Sequence, residues 1–185
     1  VEEQRPIGPA TEPGQVASVQ ATPGKEDGPP PKTALAGHSI LIGYGRVGSL
    51  VGVALKEAAL PFLVIEDADK TLAKLRDDGI ETVAGNAANA DVFAAANPEG
   101  AKRLILAIPN AFESGQIVLR ARAANPASNI IARAHSDAEV EHLKSLGADT
   151  VIMGERQIAR GILEVVTGKN TGASGPAMAI NPQPA

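Results

Sequence analysis

His38-Ser39-Ile40-Leu41-Ile42-Gly43-Tyr44-Gly45-Arg46-Val47-Gly48, then a helical stretch, then Pro61-Phe62-Leu63-Val64-Ile65-Glu66-Asp67, is the segment that decides how this chain folds. It reads as an apolar strand, a Gly43-x-Gly45-x-x-Gly48 loop, a helix, a second apolar strand and an acidic stop. Each glycine has a physical role. Gly43 allows a tight turn off the strand, Gly45 lets backbone approach a phosphate, and Gly48 lets the helix pack closely on the sheet. The phosphate would rest on the amino end of the helix, where free N–H groups and the helix dipole favour negative charge. Glu66 follows Gly48 by eighteen residues, placed to accept a hydrogen bond from a ribose 2′-OH. A glycine-rich turn alone is common. Here the strand, the helix and the acid all stand where a dinucleotide-binding crossover needs them.

Outward from that segment, composition narrows the field. The chain has 185 residues, room for one domain. Hydrophobic residues make up 44%, but with three Phe, one Tyr and no Trp the core must come from Ala, Val, Ile and Leu. A net charge of −4 leaves no basic footprint, so no nucleic-acid partner is expected. The absence of cysteine excludes disulfides, thiolate metal sites and a cysteine nucleophile. Three scattered histidines do not make a metal site, and His135 and His142 read as surface residues. No run approaches the roughly eighteen apolar residues of a membrane span, and no secretory signal is visible. The chain begins at Val1, without Met, inside a Pro/Gly/Glu-rich stretch. It therefore reads as the tail of a longer protein.

Residues 1–36 are rich in Pro and polar residues without apolar periodicity, and read as a disordered linker. Residues 169–185 read the same way, leaving a folded part at 37–168. Inside it, strand and helix patterns alternate six times. Strands are expected at Ser39–Ile42, Phe62–Ile65, Ile80–Val83, Arg103–Ile108, Asn129–Ala132 and Thr150–Met153. The first helix, Arg46–Ala59, carries Val47, Leu50, Val51, Ala54, Leu55 and Ala58 on one face, read as its buried stripe. Asp67 or Asp69 is expected to cap the second helix. A short helix near 89–96 and one over 111–124 follow. Ser136 and Glu139 form a capping box before a helix buried through Val140, Leu143 and Leu146. The last helix spans about 155–167. Apolar strands separated by helices predict an α/β fold, a doubly wound, Rossmann-like parallel sheet in the order 3-2-1-4-5-6, covered on both faces. Its crevice lies at the carboxyl ends of strands one and four, which sets the 43–48 loop opposite Pro109 and Asn110.

Around that crevice several residues keep two readings. Arg46 is a phosphate partner or a solvated helix-start arginine. Asn86, in the Gly85-Asn86-Ala87 turn, contacts an adenine edge as donor and acceptor, or simply forms a turn. Asn110 has the same ambiguity. Arg133 meets a ligand phosphate or carboxylate, or pairs with a surface acid. Tyr44 contacts the ligand or walls the loop. Glu66 and Asp67 repel a 2′-phosphate, which favours NAD(H) or AMP/ATP over NADP. No Tyr-x-x-x-Lys pair, catalytic His–Asp arrangement or Gly-x-Ser-x-Gly elbow is present, so a binding module is favoured over an enzyme.

Taken in order, Gly43-Tyr44-Gly45-Arg46-Val47-Gly48, Gly85-Asn86-Ala87, Ile108-Pro109-Asn110, Ile131-Ala132-Arg133-Ala134-His135 and Met153-Gly154-Glu155-Arg156 resemble the RCK N-terminal (TrkA-N) domain. The likeness is to the cytosolic tail of Kef-type and YbaL-like monovalent cation:proton antiporters. It covers about 38–168. The resemblance implies a domain that binds NAD(H) or AMP, pairs into homodimers and gates a membrane channel or antiporter for K⁺ from the cytoplasmic face of the membrane. It implies that a transmembrane antiporter domain lies upstream of Val1, with residues 1–36 as the connecting linker. Carried over by position, Gly43 to Gly48 hold the phosphate, Glu66 and Asp67 the ribose, and Asn86 and Ala87 the adenine side. Many relatives have Asp where Asn86 stands, so that contact differs here. An RCK C-terminal subdomain is absent from the sequence. A stand-alone regulatory subunit of a potassium transporter and a small NAD-dependent oxidoreductase remain as alternatives. The last helix, with Ile158, Ile162 and Val166 on one stripe, is either a dimer surface or packed on its own sheet.

Overall fold

The computed structural model of the protein describes residues 28–168. Six strands form one parallel sheet: β1 Ser39–Ile42, β2 Phe62–Glu66, β3 Glu81–Ala84, β4 Arg103–Leu106, β5 Asn129–Ala134 and β6 Thr150–Met153. Their order is β3-β2-β1-β4-β5-β6, the doubly wound arrangement expected from the alternation of patterns. The helices are α1 Arg46–Glu57, α2 Asp69–Asp77, α3 Ala90–Ala95, α4 Ala111–Ala124, α5 Asp137–Ser145 and α6 Gly154–Thr167, with a 3₁₀ turn at Pro98–Gly100. β1 pairs with β2 on one side and β4 on the other, Ile42 standing beside both Ile65 and Leu106. The winding reverses there, so a crevice opens at the carboxyl ends of β1 and β4.

Two apolar layers cover the sheet. One joins Ile40, Ile42, Leu63, Ile65, Leu104 and Leu106 to Phe93 of α3, Ile117 and Val118 of α4 and Leu143 of α5. The other joins Leu41 and Val64 to Val51 of α1 and Leu75 of α2. The coverage is uneven, contrary to the expectation of a sheet covered on both faces. β1 is buried along its whole length, whereas β4, β5 and β6 alternate. On their open face stand Ile105, Ile131 and Ile152, the last 44% exposed. No described helix of this chain covers them, because α1 and α2 lie over the β1–β3 half.

Two helices depart from their apolar patterns. In α1 the buried residues are Gly48, Gly52 and Leu55, while Val47 and Leu50 point outward. The helix closes on its neighbours through glycines: a Cβ on Gly48 would overlap the Gly43 carbonyl oxygen, and one on Gly52 would strike the Tyr44 ring. α6 buries no residue at all, which rules out packing on its own sheet as the use of its stripe. Residues 32–36, read as the end of the linker, lie with Gly37 along the amino-terminal edge of the sheet. There Thr33 N–H donates to Ala95 O at 2.8 Å and Gly37 N–H to Gly100 O at 2.7 Å. Residues 1–27 and 169–185 lie outside the described residues.

Candidate functional site

The glycine loop is built by three different demands. Gly43 has φ +84°, a left-handed conformation that a side chain would strain. A Cβ there would also lie 2.8 Å from Ile108 Cγ2, so the loop sits directly over the end of β4. Gly48 is required by its contact with the Gly43 carbonyl. Gly45 is required by neither. Its φ is −73°, open to any residue, and no protein atom lies within 4 Å of where its Cβ would be. The fold leaves open space at 45.

The helix start behind Gly45 is left open as well. The leading N–H groups of an α-helix have no intrahelical acceptor. At α1 no side chain caps them and no acid stands in the first turn. Among the described α-helices this is the sole start lacking both: Asn89, Asn110 and Ser136 cap α3, α4 and α5, and Asp69 and Glu155 stand in the first turns of α2 and α6. The dipole there is uncompensated, and Arg46 stands beside it with no ion pair among the described residues. Tyr44 walls the loop from the α2 side, its hydroxyl pushed above the usual tyrosine range by burial and then by the Asp78 charge.

Glu66 stands at the carboxyl end of β2, where its carboxylate is held by backbone donors. Its Oε2 accepts from Tyr44 N–H at 2.7 Å, and its Oε1 from Asp67 and Ala68 N–H at 3.0 and 3.1 Å. Burial works against its charge, yet the backbone donors Tyr44, Ala68 and Asp67 outweigh it, and the carboxyl is held below the usual range. With three of about four acceptor positions filled, about one is left for a ligand hydroxyl. The expected cap of α2 is absent: the N-cap is Ala68, whose side chain carries no acceptor, and neither Asp67 nor Asp69 makes a cap hydrogen bond.

The other residues divide. Gly85 N–H donates to Glu66 O at 2.8 Å, which brings the 85–87 turn beside the acid. Asn86 Oδ1 accepts from Ala88 N–H at 2.6 Å, and Asn110 Oδ1 accepts from Phe112 and Glu113 N–H at 3.1 and 3.2 Å. The Asn110 oxygen thus has both lone pairs engaged by its own turn, while the Asn86 oxygen keeps one, and both NH₂ groups remain as donors. Ala87 is buried at 3% exposure, so its backbone alone is available. Pro109 is exposed beside Asn110. Arg133 lies within β5 beside Ile152, on the open face, with no acidic partner among the described residues. Arg120 of α4 went unnoticed in the sequence. Its guanidinium donates to Ala88 O at 2.6 Å and spans 3.5 Å to Ala87 O, pinning the 86–88 turn from 32 residues away. No local pattern marks such a contact.

A doubly wound sheet with a glycine-lined, uncapped helix start at its switch point defines a Rossmann-like domain. The TrkA-N domain model matches residues 39–154, and the chain belongs to that family. YbaL of Escherichia coli (strain K12), a protein named for cation/proton antiport, is 49% identical over 132 residues, which cover 71% of this chain and 24% of YbaL. The chain thus spans about a quarter of that relative. The crystal structure of the YbaL TrkA-N domain superposes with a TM-score of 0.71 at 48% identity, covering 72% of this chain and 99% of that one. Two remoter structures share the fold. The GsuK channel bound to NAD has a TM-score of 0.64 at 21% identity, covering 71% of this chain and 25% of that one. The AMP-bound Kef C-terminal domain of Shewanella denitrificans has a TM-score of 0.59 at 24% identity, covering 72% and 82%. No helix among the described residues is long and apolar enough to cross a membrane.

Proposed function

We propose that this domain binds an adenine nucleotide, NAD(H) or AMP/ATP, and through it regulates K⁺ or other monovalent cation:proton antiport at the cytoplasmic face of the membrane. The observation that carries the reading is the unobstructed space before Gly45 at an uncapped helix start. Phosphate oxygens take the free N–H groups of α1, Glu66 takes a ribose hydroxyl, and the NH₂ groups of Asn86 and Asn110 face acceptor atoms of the ligand. Family membership and the nucleotides held by the NAD-bound and AMP-bound fold relatives support this. The role is binding rather than catalysis: ligand shifts an equilibrium by its differential affinity for two arrangements. Calorimetric titration with AMP, ATP, NAD⁺ and NADH tests it. Saturable heat from at least one ligand is expected, and silence at millimolar concentration of all four refutes it.

The partners in this reading are a transmembrane antiporter domain in the same polypeptide and a second copy of this domain. Support for the homodimer comes from α6. It begins at Gly154 immediately after β6 ends at Met153, with no residue between to turn it back onto its own sheet. Ile158, Ile162 and Val166 are 65%, 58% and 75% exposed, an apolar stripe without a partner among the described residues. The open face at Ile105, Ile131 and Ile152 is its complement. A two-fold axis lets each copy lay α6 on the other, satisfying both surfaces twice. Sedimentation tests this, with a dimer expected and a monomer at micromolar concentration refuting it.

A further inference from the structure

We infer that residues Lys32–His38 form a coupling strap, latched to α3, by which nucleotide occupancy is passed to the chain upstream of the domain. The inference rests on the nucleotide reading above and names where its signal leaves the fold.

The strap lies at the edge of the sheet opposite the glycine loop, since it enters β1 and the loop leaves it. Its anchors concentrate on one short segment. Thr33 N–H donates to Ala95 O at 2.8 Å, Asn97 Nδ2 to Leu35 O at 2.9 Å and Gly37 N–H to Gly100 O at 2.7 Å. The buried His38 ring lies 3.0 Å from Ala96 O through Nε2. Lys32 pairs with Glu99 at 3.1 Å, and the Thr33 hydroxyl donates to Glu81. Apart from Glu81, every one of these partners falls within residues 95–100, the carboxyl end of α3 and the turn after it.

The other end of α3 is the candidate adenine side. Asn89 caps the helix, and the Asn86–Asn89 turn runs directly into it. A Cβ on Gly85 would meet Val92 Cγ2 at 2.8 Å, so the first turn of α3 rests on the same glycine turn. Between the two ends are six residues, about 9 Å of helix. Phe93, Ala95 and Ala96 are buried at 2%, 3% and 0%, so α3 moves as a unit with the core or not at all. A ligand that prefers one position of the 86–89 turn therefore biases the carbonyl and amide groups that hold the strap.

Asn97 makes the latch specific. It has φ +52°, left-handed backbone that few residues adopt, and from there its side chain reaches the strap. It also requires Gly100, whose Cβ would lie 2.6 Å from Asn97 Nδ2. Backbone conformation, a missing side chain and a half-buried hydrogen bond converge on holding Leu35.

Coupling is reciprocal: if ligand changes strap opening by some factor, loosening the strap changes ligand affinity by the same factor. Asn97→Gly keeps the left-handed backbone and removes the amide, which makes it the clean perturbation. The experiment is amide hydrogen exchange of wild type and Asn97→Gly, with and without saturating AMP, alongside calorimetric Kd values. Saturating AMP is expected to change exchange at Thr33 and Gly37 by about fivefold or more, and Asn97→Gly to shift the AMP Kd by a matching factor. Exchange at Ile40–Ile42 should stay as in wild type, showing the sheet intact. Protection at Gly45–Gly48 with no change at Thr33 or Gly37, and an unchanged Kd in Asn97→Gly, would overturn the strap and leave the nucleotide reading standing. Absence of any effect at Gly45–Gly48 from AMP, ATP, NAD⁺ and NADH, each tried in turn, would overturn both.

Discussion

Replacing Gly45 with Val separates binding from folding more cleanly than any other single change. The stability cost follows from the geometry. At φ −73°, with no atom other than its chain neighbours within 4 Å of the Cβ position, the new Cβ meets no clash. Losing glycine at a helix start costs about 0.5–1.5 kcal/mol, while restricting the unfolded chain returns about 0.4–1 kcal/mol. The net lies within about 1 kcal/mol, a few degrees in Tm. The binding cost is far larger. The Val methyls occupy the space where anion oxygens must come within about 3 Å of the α1 N–H groups. Losing two charge-assisted hydrogen bonds at about 1.5–3 kcal/mol each weakens binding by about 3 kcal/mol or more, over 100-fold in Kd. Gly48→Ala is the opposite control. Its Cβ overlaps the Gly43 carbonyl oxygen, so that variant should fail to fold. Thermal melts and titration of AMP and NAD⁺ into both variants make the comparison. A Gly45→Val protein that melts like wild type and binds like wild type would remove the loop from the argument.

Three further outcomes follow from the same geometry. The folded Glu66 carboxyl is held below its ordinary range, so the unfolded chain takes up the proton first on acidification. The stability it adds is complete above about pH 4.3 and is lost as pH falls through the lower folded value; Glu66→Gln should flatten that part of a stability–pH curve, and an unchanged curve would contradict the assignment. Arg120→Ala frees the Ala87 and Ala88 carbonyls, and should weaken AMP binding by about 1–2 kcal/mol with the 86–88 amides exchanging faster; equal Kd values would show that the turn needs no pin. Ile162→Asp should give a monomer in sedimentation without loss of Tm in the domain itself, since Ile162 touches no core of its own chain; a persistent dimer would place the interface elsewhere.

How much was legible beforehand depended on how local the cause was. Strand order, the glycine turn, the Ser136 cap and the bounds of α4 follow from patterns within a dozen residues, where periodicity and turn chemistry act alone. The Glu139 arm of the capping box already shows the limit: its Oε2 takes His135 N–H at 2.7 Å, one residue before the expected cap. The direction of α1 was beyond local reading. An apolar stripe predicts burial when side chains make the contact, and here two glycines make it, leaving Val47 and Leu50 outside.

The sequence by itself determined the class of fold, the family and the position of the glycine loop, because each is written in short-range spacing. Tertiary structure alone decided that Glu66 is mostly engaged by its own backbone, that the Asn86 and Asn110 oxygens serve their own turns, that Arg120 braces the turn and that, among the described residues, α6 and one face of β4–β6 lack a cover. The reason is physical. Hydrogen-bond capacity is shared among groups far apart in the chain, and which lone pair or apolar face remains free is known only after every nearer claim on it has been met.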